Sequence, residues 1–177
     1  MPPAQEFAQA IAADVVNNCV NTGVFPSVVI AQAIEESASG SSKLARLFNN
    51  LFGHVASSLW SGRKGQTVPG GKFWRVYDSI ADCVAAHINI LKRPMYRLAG
   101  VISAKTPFEQ ALALEKGGYD TGPDHSQYAL KLSRIIKGMN LQQYDQQLFR
   151  IERAKNTNGL AFHEQSGATK LVHNIFG

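Results

Sequence analysis

A chain of 177 residues, 45% of them apolar and 18% charged, is long enough to bury a core and too apolar to remain disordered; one soluble globular domain is expected. The formal net charge of +5 suits an acidic partner. The 18 Lys and Arg residues are scattered, with no basic run interleaved with aromatics, which argues against a nucleic-acid partner. The longest uncharged apolar stretch, Val24 to Ile34, is too short to cross a bilayer and contains Pro26, so no membrane insertion is expected.

No signal peptide is read at the N-terminus. Met1 to Glu6 carries no basic residue, and the stretch that follows is interrupted by Asp14, Asn17 and Asn18. The first helix is predicted from about Pro3 to Thr22, because Phe7, Ile11, Val15 and Cys19 recur every four residues; Gly23 ends it. Ser27 is the expected cap of a second helix whose Val28, Val29, Ile30, Ala33 and Ile34 make it apolar nearly all round, the mark of a buried helix. Glu35 and Glu36 arrive at its C-terminal end. A short third helix spans Ser41 to Phe48.

From His54 to Val76 the chain is rich in Gly, Ser, Thr, Val and aromatics, with a Pro69-Gly70-Gly71 turn, and reads as a β-hairpin or small sheet. Asp78 or Ser79 caps the next helix, which stops before Pro94. Thr106-Pro107 opens another, ending at Gly117-Gly118, and Asp124 or Ser126 opens the last core helix. Helices, a strand lobe, then helices is an α+β order with the strands on one side. Residues 1–145 are expected to form this domain, and 146–177 a C-terminal extension, helical and then irregular. Cys19 and Cys83 fall on apolar helix faces and read as buried free thiols, with a single disulfide as the alternative. His54, His87 and His125 have no metal-ligand spacing, so neither metal nor cofactor is implied. His87 reads as a partly buried, satisfied histidine.

Glu36 carries the chemistry. A carboxyl at the end of an apolar helix, beside a glycine-punctuated turn, is both open to a cleft and raised in pKa by burial, as a general acid of glycoside cleavage must be. Glu35, about 100° away around the helix, cannot face the same cleft equally and reads as solvated or salt-bridged. Five pieces occur in order: Ala31-Gln32-Ala33-Ile34-Glu35-Glu36-Ser37, running on to Gly40; Asn49-Asn50-Leu51-Phe52-Gly53; Tyr77-Asp78-Ser79; Gly118-Tyr119; and Met139-Asn140-Leu141 with Tyr144-Asp145. Together they resemble the family 73 glycoside hydrolases, bacterial peptidoglycan N-acetylglucosaminidases that include flagellar-rod wall hydrolases.

The resemblance implies a lysozyme-like fold, mostly helical, with a small β-hairpin lobe forming one side of a cleft. It implies hydrolysis of the β-1,4 bond between GlcNAc and MurNAc in peptidoglycan glycan strands, with Glu36 as general acid and Tyr119 assisting in the cleft. Asn50, Trp60, Trp74 and Asp120 are the expected substrate-binding residues, the tryptophans by stacking on sugar rings. Glu35, Ala38, Ser39 and the Asp120–Asp124 segment depart from the family pattern.

His54 to Tyr77 contains no Asp or Glu, although relatives often place a second acid in that lobe. Three routes remain: attack by the 2-acetamido group of the substrate, which is favoured; a water positioned by Asp120 or Asp124; or attack by a sugar hydroxyl, as in a lytic transglycosylase. The missing leader suggests a type VI secretion effector acting in the periplasm of a target cell, with a cognate immunity protein blocking the cleft. The alternatives are a phage endolysin with muramidase or lytic transglycosylase specificity, and an inactive peptidoglycan-binding domain.

Overall fold

Helix α2 (Pro26–Ser37) is the axis of the molecule, and every residue from Pro26 to Ile34 on it is buried. In the computed structural model, which describes residues 3–122 and 125–173, it packs against α1 (Pro3–Cys19), α6 (Pro107–Lys116), α7 (Tyr128–Gly138) and α8 (Gln142–His173). Helix α4 (Ile80–Leu91) completes the core by packing on α1. The expected stripe on α1 is present, with Ile11, Val15 and Cys19 buried and Phe7 packed at its edge. Cys19 and Cys83 are both buried free thiols.

Short α3 (Lys43–Phe48) leads into the β lobe, where β1 (Lys64–Gly65) pairs antiparallel with β2 (Trp74–Arg75). Lys64 faces Arg75, Gly65 faces Trp74, and Val55 adds a bridge to Trp74. The arrangement is the expected α+β layout, mostly helical with a small two-stranded lobe. Ser79 caps α4 by accepting from the Asp82 N–H, while Asp78 pairs with Arg63 instead.

Several elements differ from expectation. Helix α1 stops at Cys19, where Asn21 and then Gly23 turn the chain with positive φ. Ser27 does not cap α2. Pro26 takes the first helical position, where its missing N–H costs nothing, and the Ser27 N–H donates to Asp145 Oδ1 at 2.8 Å. Helix α5 (Pro94–Ala99) and a 3-10 turn over Val101–Ser103 fill a stretch with no predicted element. A second 3-10 turn, His125–Gln127, precedes α7; Asp124, one of the two expected openers, lies outside the described residues. The chain expected to be irregular after 155 continues α8 to His173, and no proline follows Pro123 to break it.

The last turn of α2 is closed by Ala38, whose φ of 50° is left-handed, with Ser39 at 55° and Gly40 at 79° behind it. A side chain is strained at such a position by about 1 kcal/mol, so Ala38→Gly is expected to stabilise the fold by up to that amount in urea unfolding. Asp145 gives a second prediction. Burial raises its pKa to about 6, against the opposing pull of the Ser27 N–H. Folding therefore favours the protonated carboxyl, and that contribution is complete below about pH 4 and lost as pH rises through about 6. Asp145→Asn stays neutral, so its stability relative to wild type should increase between about pH 4 and pH 7 in a pH series of unfolding curves.

Candidate active site

The end of α2 opens into a cleft of about 340 Å³ between the helices and the β lobe. Glu36 lines it from α2, Gly53 and His54 from the loop after α3, Arg75 from β2, Arg93 from the turn before α5, and Tyr119 and Asp120 from the loop after α6. Among the described residues, Glu36 and Asp120 are the carboxylates of this cleft.

Glu36 is exposed on its cleft side, and its Oε1 accepts from the Tyr128 hydroxyl at 3.3 Å. Its pKa is raised, chiefly because the carboxyl is set against protein rather than water, and further by the negative charges of Asp120 and Glu35. The Tyr128 hydrogen bond and the Lys131 ammonium act in the opposite direction. The balance holds a proton to higher pH than a free glutamate does, which is the state a general acid needs. Glu35 pairs with Lys131 at 3.1 Å, one of its two expected placements.

Tyr119 is brought to the cleft by the left-handed turn at Gly118, where φ is 73°. Its ring stacks on Tyr128 at 5.5 Å and stands edge-on to His87 at 5.8 Å. Burial holds its phenol well above the ordinary value, so it meets a substrate as a hydroxyl and not as a phenolate. Asp120 sits on the same side, with Oδ1 accepting from the Gly122 N–H at 2.8 Å.

The other expected contacts lie elsewhere. Asn50 is 1% exposed, and its amide is fully used on backbone: it donates to His54 O and Arg75 O and accepts from His54 N. These bonds lock the loop to β2. Trp60 bonds to Arg63 O and lies under the Arg75 guanidinium, lining a separate hollow with Tyr77 and Asp78. Trp74 is half-buried in the strand pairing and does not border the Glu36 cleft.

Sequence reasoning missed Arg75 and Arg93, which carry no motif, and Tyr128, which reads as a core residue of α7. It also placed His87 as partly buried, whereas the ring is wholly enclosed. Spacing holds a signal for one of these: Tyr128 begins the helix that follows the Tyr119 loop, so both tyrosines share that end of the domain.

The glucosaminidase family model, described as mannosyl-glycoprotein endo-beta-N-acetylglucosaminidase, matches residues 12–141. The chain belongs to this family. It is 34% identical over 135 residues to the exo-glucosaminidase LytG of Bacillus subtilis, covering 70% of this chain and 47% of that protein. It is likewise 34% identical over 158 residues to a probable N-acetylmuramidase of Lactococcus lactis (strain IL1403), covering 80% and 35%. The chain thus spans less than half the length of these curated relatives. Among solved structures, the catalytic domain of the Listeria monocytogenes autolysin Auto superposes with a TM-score of 0.68 at 26% identity, covering 82% of this chain and 89% of that one. The glycoside hydrolase domain of Salmonella typhimurium FlgJ gives 0.63 at 25%, covering 88% and 96%. A type VI secretion effector–immunity complex from Pseudomonas protegens gives 0.61 at 22%, covering 78% and 92%, and shares the fold. The family match spans Glu36, Tyr119 and Asp120.

Among the described residues no group of three or more His, Cys, Asp or Glu is arranged to hold a metal, and no helix is long and apolar enough to cross a membrane. The charges around Glu36 yield a prediction. Glu35→Gln removes a negative neighbour that raises the Glu36 pKa and releases Lys131, which lowers it. Both changes favour the carboxylate, so the Glu36 titration, followed by its carboxyl ¹³C shift, should move to lower pH.

Proposed function

We propose that this domain hydrolyses the β-1,4 bond between GlcNAc and MurNAc in peptidoglycan, with Glu36 as the general acid. The observation that carries this reading is the Glu36 carboxyl itself: raised in pKa, open on one side to the cleft, and faced there by Tyr119 and Asp120. The cleft has no carboxylate from the β lobe among the described residues, which favours substrate assistance. The carbonyl oxygen of the 2-acetamido group attacks the anomeric carbon as the glycosidic bond breaks. The Glu36 proton passes to the departing oxygen. Asp120 accepts the acetamido N–H and so orients the attacking carbonyl, and the Tyr119 hydroxyl donates toward the reacting sugar. Water then opens the cyclic intermediate and returns a proton to Glu36.

Arg75 and Arg93 at the cleft fit an acidic substrate, as the free peptide carboxylates of peptidoglycan provide. The likeness to a probable N-acetylmuramidase, over 80% of this chain, favours the neighbouring bond as a second reading. Delivery as an antibacterial effector, with an immunity protein filling the cleft, is a narrower proposal that rests on shared fold alone. Its test is host lysis when the chain is exported to the periplasm and none when it stays in the cytoplasm.

Digestion of purified Gram-negative sacculi, with mass spectrometry of the reduced fragments, tests the main proposal. Reducible GlcNAc ends from wild type are expected, with a rate loss of about 10²- to 10⁴-fold in Glu36→Gln. Reducible MurNAc ends would move the assignment to a muramidase, and anhydro-MurNAc ends to a lytic transglycosylase. An absence of products from either protein would leave a peptidoglycan-binding domain.

A further inference from the structure

Behind Glu36 lies a line of side chains that the cleft chemistry does not use. Tyr77 Oη is 2.7 Å from His54 Nδ1, and His54 Nε2 is 3.2 Å from His87 Nδ1. His87 Nε2 is 3.1 Å from Gln32 Oε1. Gln32 Nε2 is 3.0 Å from Tyr128 Oη, and Tyr128 Oη is 3.3 Å from Glu36 Oε1. Five hydrogen bonds join six side chains, contributed by α2, the loop after α3, the end of the β lobe, α4 and α7. Gln32 and His87 are wholly buried, and Tyr128, Tyr77 and His54 are nearly so.

We infer that this line is a one-way relay of hydrogen-bond donors whose direction keeps the acid proton of Glu36 on the carboxyl oxygen that faces the cleft. The inference rests on the reading of Glu36 as the general acid. The direction follows from counting protons. Both imidazoles are neutral: burial holds His54 down at about 3 and His87 well below its ordinary value. A neutral imidazole has one N–H and one acceptor nitrogen, so fixing either histidine fixes the other.

Only two complete arrangements exist. In the first, Tyr77 donates to His54, His54 to His87, His87 to Gln32, Gln32 to Tyr128 and Tyr128 to Glu36 Oε1. The proton of the acid then sits on Oε2 and can pass to a glycosidic oxygen. In the second, every donor is reversed, and Glu36 must spend its proton on Tyr128. The acid is then protonated on its inward side and cannot act. The placement of the Gln32 amide, with nitrogen toward Tyr128 and oxygen toward His87, is that of the first arrangement.

The far end of the line explains the choice. The positive charge of Arg75 acts on the Tyr77 hydroxyl and disfavours a proton turned toward it, so the Tyr77 proton is the one available for His54. In the reversed arrangement that oxygen would accept from His54, and the tyrosine proton would be left without an acceptor in the line. His54 is itself held by Asn50, which bonds to its backbone on both sides. The His87 ring is clamped flat against Phe52, with centroids 3.7 Å apart and planes within 4°. Arg75, Tyr77, His54, His87 and Gln32 are therefore positioning residues, acting on the acid through Tyr128.

Long-range ¹⁵N–¹H spectra of the two imidazoles, recorded on the whole chain, read the direction without any activity measurement. The relay requires the Nε2–H form at both His54 and His87, unchanged between about pH 5 and pH 8. An Nδ1–H form at either ring, or a histidine of the pair that titrates in that range, would overturn it. Tyr77→Phe removes the anchoring donor, four hydrogen bonds from Tyr128 and five from Glu36. It should shift both rings toward Nδ1–H and lower kcat about fivefold at unchanged KM, the ratio set by one net hydrogen bond. Rings that reverse with kcat unaltered would also overturn the relay. If Glu36 is not the acid, Glu36→Gln keeps its activity while the wild-type ring spectra stand, so the two readings fail separately.

Discussion

The structure depends on one constraint: a helix buried on all sides must surface somewhere, and where it does its last carboxyl is half in protein and half in water. Nine consecutive residues of α2 are enclosed by four other helices, so nothing about its path is adjustable. Glu36 is delivered to the cleft by the same packing that forms the core. Burial on one side raises its pKa, and the open side admits a substrate. Position and protonation therefore have a single cause, and a change that loosened α2 would disturb both.

The opposite wall is built with far less material. Two strands of two residues each cannot hold a lobe by their ladder alone. The work falls to side chains that bond to backbone. Asn50 ties the loop after α3 to β2, and Asn49 donates to the carbonyls of Tyr77 and Asp78. Asn50 thereby satisfies backbone groups that would otherwise be stranded beside the core. The Arg75 guanidinium lies over Trp60, so the tryptophan supports a cleft residue.

How much of this was legible in the sequence depends on the range of the interaction involved. Local signals were sound: the four-residue stripe of α1, the caps Ser79 and Thr106, the Pro69-Gly70-Gly71 turn, and the buried character of α2 all rest on neighbours within a few residues. The differences involve partners far apart in the chain. Ser27 has the sequence position of a cap, before an apolar run, but its N–H is met by Asp145, 118 residues on. Trp60 and Trp74 have the right composition for sugar stacking, and the folded lobe places both outside the lining of the Glu36 cleft, with Trp60 at a separate hollow. Glu36 and Tyr119, which the motifs carry, both line the cleft; Arg75, Arg93 and Tyr128 lie outside such motifs.

The histidine pair illustrates why polar residues deep in this core are not a defect. Two imidazoles beside Phe52 would be costly if charged, and the same burial that makes charge costly keeps them neutral. Neutral rings that bond to one another must agree on which nitrogen carries the proton, and that agreement passes to Gln32 and Tyr128 without any group changing charge. A hydrophobic replacement could fill the volume, but it could not tell Tyr128 which way to point its hydroxyl. The histidine of α4 and the histidine of the β-lobe loop thus couple the two halves of the domain through hydrogen-bond direction, and the carboxyl at the end of α2 is where that direction meets the cleft.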